Sequence, residues 1–179
     1  MKTFDFVEMN RVFAMPNKWT FTVKPIKNLL FRYVGSGFLT KGKWIDPFAG
    51  KYSPAQETND INPEMPTKYH LDALEFCNQL RGKYYGVLFD PPYSLRQVSE
   101  HYKAIGIKAT SLDTSANFYK RVKNAVCDKI KKGGYAISFG WNSTGFGKNR
   151  GFKLVEILLV NHGAHHNDTI VTVEKKLAP

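Results

Sequence analysis

The run Tyr84-Tyr85-Gly86-Val87-Leu88-Phe89 carries no charge and stops at Asp90-Pro91-Pro92. Six residues rich in aromatic and β-branched side chains are the length of a strand, and the lack of alternation fits one buried on both faces. Consecutive prolines fix φ and cannot continue a ladder, so the segment that follows is a stiff loop. A doubly buried strand needs cover on both sides, and the rest of the chain supplies it. Short apolar runs at 43–46, 135–139, 154–160 and 169–173 alternate with amphipathic stretches at 25–34, 70–80 and 117–132. In 117–132, Phe118, Val122, Val126 and Ile130 recur every fourth position and Gly133 stands where a helix commonly ends. The pattern predicts an α/β domain with helices on both faces of a mainly parallel sheet. Its last two strands, joined by a seven-residue polar loop, form an antiparallel pair. Ligands of such sheets bind beyond the carboxyl ends of the strands, where Asp46 and Asp90 both fall.

The 179 residues suit one domain, 1–179, with no separate target-recognition domain. The N-terminal segment has no basic and apolar leader pattern, and no apolar run reaches the roughly 18 residues of a membrane helix, so a cytoplasmic protein is expected. Cys77 and Cys127 fall on predicted helices and read as buried thiols. Lys and Arg number 26 against 15 Asp and Glu, a formal charge of +11. Residues 91–155 hold 12 of the cations and 3 of the anions, and so carry +9 of that excess. Such a stretch attracts polyanions by counterion release, and it equally keeps a surface solvated.

The residues that carry chemistry lie at the strand ends. Asp90 offers a carboxylate and Pro91 a carbonyl, two acceptors suited to one exocyclic amine, and Tyr93 offers a flat face for an extruded base. A capped strand end uses the same residues. Asp90-Pro91-Pro92-Tyr93 resembles the D-P-P-Y motif of S-adenosylmethionine-dependent amino-methyltransferases, above all the adenine-N6 DNA methyltransferases. Asp46-Pro47-Phe48-Ala49-Gly50 is similar to that family's D-P-F-x-G cofactor loop, and Thr22-Val23-Lys24-Pro25 to its T-x-K-P element. Asp60 stands where the family's acid binds the cofactor ribose, and Asp72 where an acid faces the cofactor adenine. The elements follow the family's order over about residues 20–93. After Gly50 the chain reads Lys51-Tyr52-Ser53-Pro54, with no second glycine.

The resemblance implies a Rossmann-like methyltransferase fold with S-adenosylmethionine as cofactor and no metal. Asp90, Pro91, Pro92 and Tyr93 are then the catalytic residues. Thr22, Lys24, Asp46, Pro47, Phe48, Gly50, Asp60 and Asp72 bind the cofactor. DNA is the implied partner, acted on by a monomer or homodimer with no membrane, as in compact orphan enzymes of phages and prophages in a bacterial cell. Adenine-N6 methylation of RNA and an inactive nucleic-acid-binding module are the alternatives. Substrate contacts fall to short elements. Arg96, Gln97, His101 and Lys103 lie in the polar stretch 94–115, which serves equally as a mobile lid. Trp141 and Asn142 open the glycine- and cation-rich loop 141–151, a backbone contact or an ordinary loop. His165 and His166 belong to the loop that faces the target base in the resembled family. With only Asp168 beside the histidines, that loop is short of the four ligands structural zinc takes.

Overall fold

The computed structural model describes residues 6–35, 41–92, 116–163 and 166–177. Seven strands form one sheet: β1 (Glu8–Phe13), β2 (Trp44–Asp46), β3 (Glu57–Thr58), β4 (Tyr84–Phe89), β5 (Ile130–Gly140), β6 (Phe152–Asn161) and β7 (Thr169–Lys176). Their order is β1-β6-β7-β5-β4-β2-β3. Only β7 runs antiparallel, paired with β5 on one side and β6 on the other. The chain passes outward from β2 to β3 in one direction and from β4 to β5 in the other, so the strand order reverses between β2 and β4. That reversal opens a crevice at their carboxyl ends.

Strand alternation sorts neighbouring residues into two cores. Trp44, Leu88, Ile137, Val171 and Val173 pack on one face with Ile26, Leu29 and Leu30 of α1 (Lys24–Tyr33). Ile45, Val87, Phe89 and Ala136 pack on the other with Phe76 and Cys77 of α2 (Ala73–Gln79) and Val122 and Val126 of α3 (Ala116–Cys127). Both cysteines are free, and burial pushes the Cys77 thiol up to about 12. Pro25 sits in the first turn of α1, where its missing N–H costs nothing. Among the described residues no helix is long and apolar enough to cross a membrane.

The predicted α/β sheet is the one observed, with differences at three places. The helix predicted over 117–132 ends at Cys127, and Ile130 opens β5 opposite Tyr84. Helical periodicity carried on to Ile130 because a buried residue suits either element. Gly133, with φ +80°, is therefore inside the strand, beside a register shift, and does not cap a helix. The predicted 70–80 helix begins only at Ala73, because the Asp72 carboxylate accepts the N–H groups of Leu74 and Glu75 and starts it there. Strand β1 was not expected, since five of its six side chains are exposed and leave no hydrophobic pattern to read.

Candidate active site

Loops at the carboxyl ends of the strands surround a cavity of about 700 Å³. One wall is the turn after β2. Asp46 is fully buried beneath it and accepts the Phe48 N–H at 3.0 Å and the Ser53 hydroxyl at 2.6 Å. Burial pushes its carboxyl up to about 7 against those two bonds, and Asp90 and Asp60 push the same way. Asp46 itself does not line the cavity; it shapes the turn that does, through Pro47, Phe48, Ala49 and Gly50. Gly50, at φ +54°, directs its N–H to Asp60 Oδ2 at 3.1 Å. Asp60 Oδ1 accepts the Asn62 N–H at 2.8 Å, so this acid holds the first turn against the segment after β3.

Asn59 fastens a third segment. Its buried amide donates to the carbonyls of Pro47 and Leu71 and accepts the Leu71 N–H. That cross-link places Asp72, the cap of α2, in the cavity wall. Asn17, Lys18, Trp19, Thr20 and Phe21 supply a further part of the wall. Trp19 meets Tyr52 edge to face, with ring centroids 5.7 Å apart, so an aromatic pair flanks Gly50 where a second glycine is missing.

Asp90 is half-buried in the cavity lining, with Pro91 and Pro92 beside it. Burial raises its carboxyl to about 6, and a hydrogen bond with the Thr20 side chain holds it down. The Tyr119 hydroxyl of α3 donates to the Pro92 carbonyl, and Phe48 packs edge-on against both Phe89 and Tyr119. Helix α3 thus couples the loop after β4 to the loop after β2. Trp141, half exposed, closes the cavity from the end of β5, with Thr169 at the start of β7.

Of the residues singled out in the sequence, Pro47, Phe48, Gly50, Asp60, Asp72, Asp90, Pro91, Pro92 and Trp141 share this cavity. Thr22 and Lys24 are not in its lining. The Thr22 hydroxyl donates to the Trp19 carbonyl at 2.8 Å, and Lys24 is exposed at the start of α1. Asn142 accepts the Thr144 N–H and His166 is exposed, both off the cavity lining. Tyr93, Arg96, Gln97, His101, Lys103 and His165 lie outside the described residues. Sequence reasoning missed Trp19, Thr20, Tyr52, Asn59 and Tyr119. Only the nearness of Trp19 and Thr20 to the T-x-K-P element could have pointed to two of them. Among the described residues no group of three His, Cys, Asp or Glu is arranged to hold a metal.

No protein-family model and no curated protein sequence matches the chain. Solved structures do. TrmN from Thermus thermophilus superposes with a TM-score of 0.54 and 16% identity over 87% of this chain, which spans 49% of that protein's length. The N-methyltransferase NodS from Bradyrhizobium japonicum gives 0.54 and 8% over 87% of this chain and 96% of its own. The 1,6-didemethyltoxoflavin-N1-methyltransferase of Burkholderia thailandensis, solved with S-adenosylhomocysteine, gives 0.55 and 11% over 87% and 78%. The fold is the Rossmann-like fold of methyltransferases.

Proposed function

We propose that the chain transfers a methyl group from S-adenosylmethionine to the N6 amine of adenine in nucleic acid, with DNA as the expected polymer. The observation that supports this reading is the placing of Asp90 in one cavity with Gly50, Asp60 and Asp72. That donor set suits the cofactor. Its lining is acidic, with Asp60, Glu64, Asp72 and Asp90 against Lys18, which complements a ligand bearing a sulfonium and an ammonium group. A cavity of about 700 Å³ is within the ordinary range for such a molecule. Gly50 would hold the methionine end, Asp60 the ribose and Asp72 the adenine amine. Asp72 Oδ1 serves the helix cap and leaves Oδ2 for a ligand.

When bound, the cofactor would supply an electrophilic methyl group and leave as the neutral thioether, and the amine would lose one proton to solvent. The protein's own part is positioning and electrostatics. An aromatic amine is a poor nucleophile because its lone pair is delocalised into the ring. The Asp90 carboxylate and the Pro91 carbonyl would accept its two N–H groups, favour a pyramidal nitrogen and hold it in place. A carboxylate whose proton affinity is raised accepts such a bond more strongly than an ordinary one. Tyr119 and Phe48 keep the Asp-Pro-Pro turn fixed while this happens, and Tyr93 would stack the base.

The test offers S-adenosylmethionine with a labelled methyl group to DNA and RNA in parallel, and identifies the labelled nucleoside after digestion. Label in N6-methyldeoxyadenosine, lost in Asp90→Ala, is the expected result. Label only in RNA would move the substrate from DNA. No label in either polymer, with no cofactor-dependent change in tryptophan fluorescence, would refute the reading.

A further inference from the structure

We propose that the sheet edge formed by the carboxyl ends of β5, β6 and β1 and the start of β7 is a stacking platform for the single-stranded nucleic acid flanking the target base, with Phe13 and Met15 as its outer anchor. The inference rests on the nucleic-acid reading above and adds to it where the strand runs. Strand β1 pairs with β6 along all six of its residues, yet only Val12 is even half-buried. Phe13 is 65% exposed and Met15 70%, large apolar side chains presented to water without joining a core.

Their position follows from the register. Phe13 is opposite Asn161 of β6, Thr169 of β7 is opposite Val160, and Ile170 is opposite Gly140 of β5, which precedes Trp141. Because β1 runs parallel to β6 and β5, Phe13 stands at the same end of the sheet as Trp141 and the cavity. Three strand intervals separate β5 from β1, about 14 Å at the usual spacing. That is roughly four nucleotides at a stacked rise of about 3.4 Å. An aromatic ring stands at each end of the row, Trp141 half in the cavity and Phe13 beyond it.

The outer anchor is firmly mounted. The Ala14 N–H donates to the Asn161 carbonyl at 3.0 Å. Both nitrogens of the buried His162 ring are engaged, Nδ1 with the Ala14 carbonyl at 2.7 Å and Nε2 with the Thr169 hydroxyl at 2.9 Å. The Phe13 ring lies against Gly163, where a Cβ would come within 3.1 Å of it. From there the chain leads directly into Asn17–Thr20 of the cavity wall. Exposed apolar groups held rigidly are what stacking requires, since their order is set before the strand arrives. The charge selects the occupant. A chain of net +11 repels a second copy of itself and attracts a polyanion, and the exposed Arg11 and Lys18 flank Phe13 and Met15 along the chain.

The test measures fluorescence anisotropy of labelled single-stranded oligodeoxynucleotides, one of three nucleotides and one of about ten, each with a single central adenine. Wild type should bind the longer strand more tightly. The double variant Phe13→Ala, Met15→Ala should lose about 5- to 150-fold on the longer strand for each base unstacked, and nothing on the trimer, which does not reach Phe13. Melting temperature and sedimentation are followed in parallel. Unchanged affinity for the longer strand overturns the platform, and so does a change from dimer to monomer without a change in affinity. If adenine methylation is retained with either result, the proposed function stands and only the platform falls. A wild-type protein that binds neither strand overturns both.

Discussion

If Asp90 accepts hydrogen bonds from the reacting amine, only its ionised form supports transfer. Burial places its carboxyl at about 6. About one tenth is then ionised near pH 5 and about nine tenths near pH 7, so kcat/KM should rise about tenfold between them and level off above. Thr20→Val removes the hydrogen bond that holds this value down, and the rising limb should move to higher pH. The same group leaves a mark on stability without any substrate. Its unfolded value is near 3.8, so between about pH 4 and 6 the folded chain keeps a proton that the unfolded chain has released. The resulting stability is complete below about pH 4 and is lost as pH rises through about 6. A shift of about two units corresponds to about 3 kcal/mol, an upper bound because cavity water screens a half-buried carboxylate. Asp90→Asn should abolish transfer and flatten this part of the profile. Labelled-methyl kinetics and urea denaturation from about pH 4 to 8 read the two effects. A rate independent of pH between 5 and 7, or a Thr20→Val limb displaced downward, would refute the role given to Asp90.

The framework beneath the site can be probed without reference to chemistry. Gly86→Ala would put a Cβ 2.3 Å from Trp44 Cζ3, inside the α1-side core where Trp44 is fully buried. Overpacking of this kind costs about 1–3 kcal/mol and should lower Tm by several degrees in calorimetry; an unchanged Tm would contradict the packing. Buried Glu174 accepts the Phe146 N–H at 2.5 Å and the Gly147 N–H at 2.8 Å, and Phe146 packs between Phe89 and Phe152. Glu174→Ala should therefore speed hydrogen exchange at those two amides at least tenfold, as the loop after Trp141 comes loose.

Those two positions also show what the sequence could convey. The run 84–89 announced its own strand, since a doubly buried strand has one hydrophobic signature, and Asp90 followed from where that run stopped. Asp46 was legible in the same way, although its role differs from direct binding: a fully buried acid shapes the turn above it. Glu174 was not legible. It sits in a strand beside lysines, and its two amide partners lie 27 and 28 residues earlier, a distance that no local pattern encodes. Strand β1 escaped for the opposite reason. It is held by backbone pairing to β6, and its exposed side chains record nothing about that pairing. Asn59 fell inside a recognised segment, yet the bonds that matter join it to Pro47 and Leu71, twelve residues away on either side.

The turn after β2, the proposed cofactor loop, offers a sharper test, because here the chain departs from the family it resembles. A second glycine would let the backbone approach a ligand, and Lys51-Tyr52 stands in its place. On the proposed function that duty falls to Gly50. At φ +54° an alanine there costs about 1–2 kcal/mol in backbone strain. Its Cβ would also stand 3.3 Å from Trp19 Cζ3, tight enough to displace a ring already packed against Tyr52. The Gly50 N–H would turn with the backbone and leave Asp60 Oδ2 without its donor. Gly50→Ala should thus weaken S-adenosylmethionine binding by about tenfold or more in titration calorimetry, through strain of about 1.4 kcal/mol or above. Stability of the free protein should fall by less, because the turn relaxes when no ligand holds it. Tyr52→Ala frees space for the ring to move, and combined with Gly50→Ala it should recover part of the affinity, because one of the two penalties is removed. If Gly50→Ala binds the cofactor as well as the wild type does, the turn after β2 is not the methionine site. The missing glycine would then mark a cavity that holds something else.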